Sequence, residues 1–199
     1  MIMTLFVVGC VGLGFLTGLI ADIPVGALDA PILVVLLVLV FGVGLDLGAR
    51  GDAWQRIRSL GARLLFLPVV SAVGSLVGVA LMAAYVWGYP VRQACALGSA
   101  FGWYSLSGPF LTHLAGPEVG AVAFLSDVLR ELTALVMIPL VARYVGSAEA
   151  VALGGATSMD TTLPLLAEAT NGEATPLAFA HGVILALVVP VLIPFWFSF

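Results

Sequence analysis

Lysine is absent from this 199-residue chain, and charge of either sign is scarce: seven arginines stand against eleven acidic residues, 9% charged in all. A soluble domain carries roughly 25% charged residues, so this sequence has too few to coat a water-facing surface. The same scarcity excludes nucleic acid as a partner, because phosphate contacts require clustered Lys and Arg. Cysteine is limited to Cys10 and Cys95. Both fall in apolar stretches, which excludes a disulfide framework or zinc spacing and leaves them as small buried hydrophobes. The two histidines, His113 and His181, have no acid-rich spacing around them, so neither a metal nor another cofactor is expected. No low-complexity run, soluble domain or long polar tail is visible.

What is present is apolar sequence: 62% of residues are hydrophobic, and mean hydropathy is +1.19. Charge-poor stretches cover Met1 to Ala21, Ala30 to Leu45, Leu64 to Val91, Ala94 to Pro117, Val119 to Ala142, Ala150 to Met159 and Ala174 to Phe199. About 20 apolar residues cross a bilayer as a helix. The chain therefore reads as an all-α integral membrane protein forming one membrane domain, with a three-helix unit over 1–90 followed by a second unit over 91–199. Arg50, Arg56, Arg58 and Arg63 crowd the linker after the second stretch, whereas 22–29 holds only acids. Basic loops stay cytoplasmic, which puts 47–63 and the N-terminus inside the cell and the C-terminus outside.

Two stretches are interrupted. Residues 92–116 hold Gly98, Gly102, Gly108 and Pro109 around Trp103, Tyr104, Ser105, Leu106 and Ser107, and residues 147–170 repeat the plan with Gly154, Gly155, Ser158, Asp160, Thr161, Thr162 and Pro164. Short segments broken by Gly and Pro in corresponding positions mark transporter binding sites. Taken as re-entrant hairpins they give about five transmembrane helices plus two oppositely oriented hairpins, an inverted repeat of hairpin plus helix. Taken as full spans they give seven kinked helices. A cytoplasmic Arg143 favours the hairpins.

Acids at bilayer depth are costly and mark function. Asp160 is the first candidate for a substrate or proton site, with Ser158, Thr157 and Thr161 as neutral ligands. Trp103 and Tyr104 on the opposing tip suit an alkyl chain or an ammonium, and Ser105 and Ser107 offer hydroxyl ligands. Asp46 lies about 22 Å along its helix from Pro31; it fits either a site role or an interfacial pair with Arg50 at i+4. Asp127, Arg130 and Glu131 share one helix face at i, i+3 and i+4. They fit a structural charge network or, alternatively, a proton relay with Arg130 receiving a substrate carboxylate. The pairs Gly14 and Gly18, Gly44 and Gly48, and Gly74 and Gly78 read as helix-packing faces.

Phe101 to Gly108, then Asp127-Val128-Leu129-Arg130-Glu131, then Gly155-Ala156-Thr157-Ser158-Met159-Asp160 and His181-Gly182, resemble in order the bacterial and archaeal lysine exporter family. The likeness runs over nearly the whole chain and is most specific over 98–199. It implies export of L-lysine and its toxic analogues across the cytoplasmic membrane in exchange for protons. It also implies a transport role for the aspartate of the Thr-Ser-Met-Asp motif, here Asp160, and raises His181 as a neighbour. Longer members carry about a hundred further residues, near what three more spans with their linkers would need, and a second acid. That difference implies a small membrane subunit supplying the missing repeat, or assembly from several copies.

The physics of export fits an antiporter. A lysine cation leaving an inside-negative cell climbs about 2.3 kcal/mol per 100 mV, so a coupled ion is required. A carboxylate that holds either the ammonium or a proton supplies that exchange. The residues leave protons and sodium both open as the coupling ion. A passive channel or a murein-regulating membrane protein is the alternative, and an intramembrane serine protease built from Ser105 or Ser107 with His181 is a further one.

Overall fold

The computed structural model describes residues 63–198, together with positions 13, 14, 16–21, 31, 34, 38, 41 and 61. Asp46, Cys10, Gly44, Gly48 and the arginines Arg50, Arg56 and Arg58 lie outside the described residues, as does most of the first two apolar stretches. The chain divides into one unit over Met1–Val38 and another over Leu39–Phe199. The second holds the elements below.

These elements are α1 (Arg63–Tyr85), α2 (Val91–Gly98), α3 (Tyr104–Ala115), α4 (Pro117–Tyr144), α5 (Ser147–Gly154), a 3-10 turn (Gly155–Met159), α6 (Leu163–Ala169) and α7 (Thr175–Phe195). No strand occurs among the described residues. Among the described residues, two stretches, Leu65–Tyr85 and Thr175–Phe195, are long and apolar enough to cross a membrane. Their sequences are mostly Leu, Val, Ala and Ile, and Phe66, Val69, Val73 and Val77 on α1 are exposed.

Helix boundaries follow local chemistry. Pro117, Pro164 and Pro176 occupy the first or second position of α4, α6 and α7, where the missing N–H would have had no intrahelical partner. Gly116, at φ 97°, turns the chain between α3 and α4. The two helices then fold back on each other at glycines: a Cβ on Gly108 would lie 3.0 Å from Phe124 Cβ, and one on Gly120 would lie 2.7 Å from the Gly108 carbonyl. Close approach here depends on hydrogen as the side chain.

Short helix, break, short helix, long helix is the order over 91–144, and it recurs over 147–195. The two short helices that lead into the breaks share one support. Ser71 donates to the Ala152 carbonyl at 3.2 Å and Ser75 to the Gly98 carbonyl at 3.0 Å. Serines one turn apart on α1 thus serve carbonyls near the ends of α5 and α2, groups a helix leaves unsatisfied at its C-terminus. A Cβ on Gly98 would come within 3.0 Å of Leu76 Cα, so α2 sits tightly on α1. From the other side, Trp196 Nε1 donates to Ser99 Oγ at 2.8 Å, tying the end of α7 to the first break.

The first break differs from its sequence reading. Composition centres it on 103–107, but the non-helical residues are 99–103, and Tyr104 to Ser107, with Gly108 and Pro109, begin α3. Phe101 and Gly102 take consecutive positive φ values of 51° and 90°, which end helical geometry before the polar residues are reached. Pro109, early in α3, removes only one hydrogen bond from a helix start that already has free donors.

A bulky side chain at Gly120 should therefore part α3 from α4. Gly120→Leu is expected to lose most of its monodisperse fraction in detergent, whereas Gly74→Ala, where an added Cβ meets nothing within 4 Å, should match the parent. Overpacking costs about 1 to 3 kcal/mol. Equal size-exclusion profiles for the two variants would refute this packing assignment.

Candidate functional site

The two breaks meet. Ala156 N–H, at the start of the 3-10 turn, donates to the Phe101 carbonyl at 2.9 Å. Gly155, at φ 60°, lies against both sides of this crossing: a Cβ there would strike the Phe101 carbonyl and come within 2.7 Å of Arg130 Nη2. Gly102 borders the same place at ordinary contact distance, its added Cβ falling 3.8 Å from Arg130 Nη1 and 3.9 Å from the Gly154 carbonyl. Broken backbone, two glycines and a guanidinium occupy one place.

One turn of α4 serves this crossing with three different side chains. Asp127 is buried, accepting the Gly102 N–H on Oδ1 at 3.0 Å and the Ser107 hydroxyl on Oδ2 at 2.6 Å. It pins the first break to the start of α3. Arg130 sits at the crossing itself. Glu131 faces the second break, where its Oε1 accepts the Thr161 hydroxyl at 2.5 Å. Asp127 and Arg130 lie within electrostatic reach of each other, while the Glu131 carboxylate is engaged separately by Thr161.

Asp160 follows the 3-10 turn and is exposed. Its Oδ1 accepts the Thr161 N–H at 2.5 Å and lies 3.4 Å from Thr161 Oγ1. Thr161 thus places Asp160 and Glu131 on either side of a single hydroxyl. Tyr104, half-buried and packed edge-on against Phe124 at 5.7 Å, lies within electrostatic reach of both acids. Residues from the start of α3, α4 and the second break therefore gather around one negative pole.

Behind it lies a buried hydroxyl layer. Thr157 Oγ1 donates to the Gly154 carbonyl at 2.7 Å and lies 3.5 Å from Thr162 Oγ1. Ser158 Oγ is 2.8 Å from each of the Gly155 and Ala178 carbonyls and 3.1 Å from His181 Nδ1. Ser158 and His181 are fully buried. The 3-10 turn reaches α7 closely because position 182 is glycine, whose added Cβ would lie 2.8 Å from the Ala156 carbonyl.

Of the residues expected from sequence, Asp160, Thr161, Tyr104 and Glu131 come together at the pole, and Thr157, Ser158 and His181 lie in the layer behind. Ser107 is held by Asp127, Ser105 is exposed, and Trp103 is half-buried at the mouth of α3. Asp46 falls outside the described residues. Sequence reasoning gives no site role to Thr162, which is fully buried, and groups Glu131 with Asp127 rather than with Asp160. A hydroxyl beside each candidate acid is the available signal. The described residues contain no group of three or more His, Cys, Asp or Glu able to hold a metal ion.

A groove of about 660 Å³ runs between α1 and α4 and reaches Asp127 and Arg130; Ser71, Ser75, Ser126 and Thr133 add hydroxyls to its otherwise apolar lining. The Ser–His contact does not have the polarity of a nucleophile and its base. Both carbonyls beside Ser158 Oγ are acceptors only, so its proton points to carbonyl oxygen and His181 Nδ1 must donate to it.

Removing the Asp127 carboxylate would leave the Gly102 N–H and the Ser107 hydroxyl without their acceptor. Hydrogen bonds to charged groups contribute about 1.5 to 3 kcal/mol each, so Asp127→Ala should lower the thermal midpoint of the detergent-solubilised protein clearly. Ser105→Ala, at an exposed position, should leave it within error. An unchanged midpoint for Asp127→Ala would show that the first break is held by something else.

The family model described as "Lysine exporter LysO" matches residues 8–197. "Lysine exporter LysO" of Escherichia coli (strain K12) is 44% identical over 161 residues, which are 81% of this chain and 53% of that protein. "Putative lysine exporter" of Haemophilus influenzae is 36% identical over 167 residues, 84% of each chain. The matched part thus spans about half the length of the Escherichia coli relative and most of the Haemophilus influenzae one. No solved structure matches the chain. By the extent of the family match and the identity to these relatives, the chain belongs to the lysine exporter LysO family.

Proposed function

We propose that this protein exports L-lysine across the cytoplasmic membrane by alternating access, in exchange for protons. The observation that carries the reading is the pairing of Asp160 and Glu131 through Thr161, with Tyr104 beside them. Two carboxylates at one hydroxyl make a pole for an ammonium group, and the hydroxyl can turn between them as one is neutralised. Asp160 holds the lysine ε-ammonium or a proton, never both, which couples the two flows. Membership of the lysine exporter family and the names of the two relatives support lysine as the solute.

Each interrupted segment is taken as a re-entrant hairpin, entered from opposite faces, so that the crossing of the breaks lies near the bilayer midplane. The recurring order over 91–144 and 147–195 supports an inverted repeat. The N-terminus and Arg143 are then cytoplasmic and the C-terminus external. Single cysteines introduced at Arg143 and at Glu173 should be labelled by an impermeant reagent only from the cytoplasmic side, and one at Phe199 only from outside. Labelling of position 143 from outside would replace hairpins with full crossings.

Transport is tested in everted membrane vesicles from cells expressing the full-length protein, with an acid interior imposed to drive lysine inward. Asp160→Asn keeps size and hydrogen-bonding capacity but removes both charge and titratable proton. Its accumulation of radiolabelled lysine should fall to the level of vesicles lacking the protein. Glu131→Gln should raise the half-saturating lysine concentration about ten-fold, the equivalent of one charge-assisted contact, and Asp160→Glu should retain partial activity. Proton-driven accumulation that persists in Asp160→Asn would remove Asp160 from the mechanism.

A further inference from the structure

Among the described residues, two buried side-chain atoms have no hydrogen-bond partner: Nη1 of Arg130 and Nε2 of His181. Their chemistry is opposite. A guanidinium nitrogen can only donate. For His181, the neighbouring serine decides: Ser158 Oγ has one proton and two carbonyl oxygens at 2.8 Å to receive it, so the 3.1 Å contact with the ring requires His181 Nδ1 to carry a proton. The neutral ring then presents Nε2 as a bare lone pair, able only to accept.

Both atoms belong to side chains that border Gly155. The Arg130 guanidinium lies 2.9 Å from where a Gly155 Cβ would stand, and His181 reaches the Gly155 carbonyl through Ser158. The groove between α1 and α4 leads to the guanidinium from the other side. A cationic donor beside Gly155 and a neutral acceptor on a ring tied to the Gly155 carbonyl through Ser158 are together the complement of a zwitterion. We infer that Arg130 and His181 hold the head group of a free α-amino acid, the α-carboxylate on Arg130 and the α-ammonium on His181 Nε2.

The position of the acid pair agrees with this. Glu131 follows Arg130 in sequence, and Asp160 lies two residues past Ser158, so head-group contacts and side-chain contacts come from the same two segments. A lysine side chain reaches roughly 6 Å from Cα to Nζ, five bonds of about 1.5 Å in zigzag. It would run from the crossing to the pole. The assignment rests on the export reading for the identity of the side chain, while the head group follows from Arg130 and His181 themselves. It makes the protein selective for amino acids over plain amines.

The test is a thermal-unfolding series on the purified full-length protein in detergent. Lysine should raise the midpoint. Lysinamide and cadaverine, which lack the carboxylate, and 6-aminohexanoate, which lacks the α-ammonium, should need at least about ten-fold higher concentrations for the same shift, the worth of one charged contact. Arg130→Lys should bring lysine and lysinamide to near equality. In His181→Asn the amide nitrogen still donates to Ser158 while the Nε2 acceptor is gone, so lysine should lose its advantage over 6-aminohexanoate.

Lysinamide or cadaverine as effective as lysine on the unmodified protein would overturn the assignment, as would absence of any shift with lysine. Discrimination left intact in both variants would do the same. The export reading fails separately. Should lysine raise the midpoint with the expected discrimination while everted vesicles accumulate none, the head-group site stands and export falls. Should vesicles accumulate lysine while lysinamide competes equally well, export stands and the head-group site falls.

Discussion

The hydrogen bond from Ala156 N–H to the Phe101 carbonyl joins the two places in 91–169 where the α-helical path is broken between short helices, one by the non-helical residues 99–103 and the other by the 3-10 turn and the residues after it. Backbone released from a helix inside a membrane must find a partner within the protein, because lipid offers none. Here each break supplies part of what the other lacks. The Gly102 N–H goes to Asp127, the ends of α2 and α5 go to serines of α1, and the remaining contact is break to break. Gly155 is a consequence of that meeting, since a Cβ there would press on Arg130 and on the opposite backbone, and Gly102 answers the positive φ of 90° that ends the first helix.

The same bond explains why α4 carries its charges where it does. Residues at i, i+3 and i+4 share a face, and the crossing spreads that face over three environments within one turn. Asp127 meets a buried amide and hydroxyl, Arg130 meets the crossing, and Glu131 meets an exposed threonine. Removing any one of them affects a different object. Asp127 holds a fold, Glu131 and Asp160 form a pole, and Arg130 stands between those tasks.

Much of this arrangement is legible in the amino-acid sequence, for a physical reason. Glycine and proline clusters inside apolar runs announce breaks, and Gly154 with Gly155 place the second one correctly. The first lies a few residues away from its expected position, because Trp103 to Ser107 is the polar part of the run, whereas the positive φ at Phe101 decides where the helix stops. Partners are not legible. Ser107 and Asp127 are 20 residues apart, Ser158 and His181 are 23 apart, and Thr161 and Glu131 are 30 apart; periodicity along one helix says nothing about a hydroxyl arriving from another. Helix spacing groups Glu131 with Asp127, and the tertiary fold regroups it with Asp160.

Alternating access places a limit on how strongly the crossing is held. Under the export reading the pole must face each side of the membrane in turn, so the two broken segments must shift against each other without exposing bare backbone to lipid. One backbone hydrogen bond joins them directly, and such a bond contributes about 0.5 to 1.5 kcal/mol net. Side chains also cross between the repeats: Glu131 accepts the Thr161 hydroxyl, Trp196 donates to Ser99, and Ala134 and Ile138 of α4 share one buried apolar cluster with Ala150, Val151 and Leu166. Each break is also fixed to its own long helix, the first through Asp127 to α4 and the second through Ser158 and the Gly182 contact to α7. Under the export reading, a shift between the repeats must therefore remake the few polar contacts at the crossing while the apolar cluster between α4 and α5 stays closed.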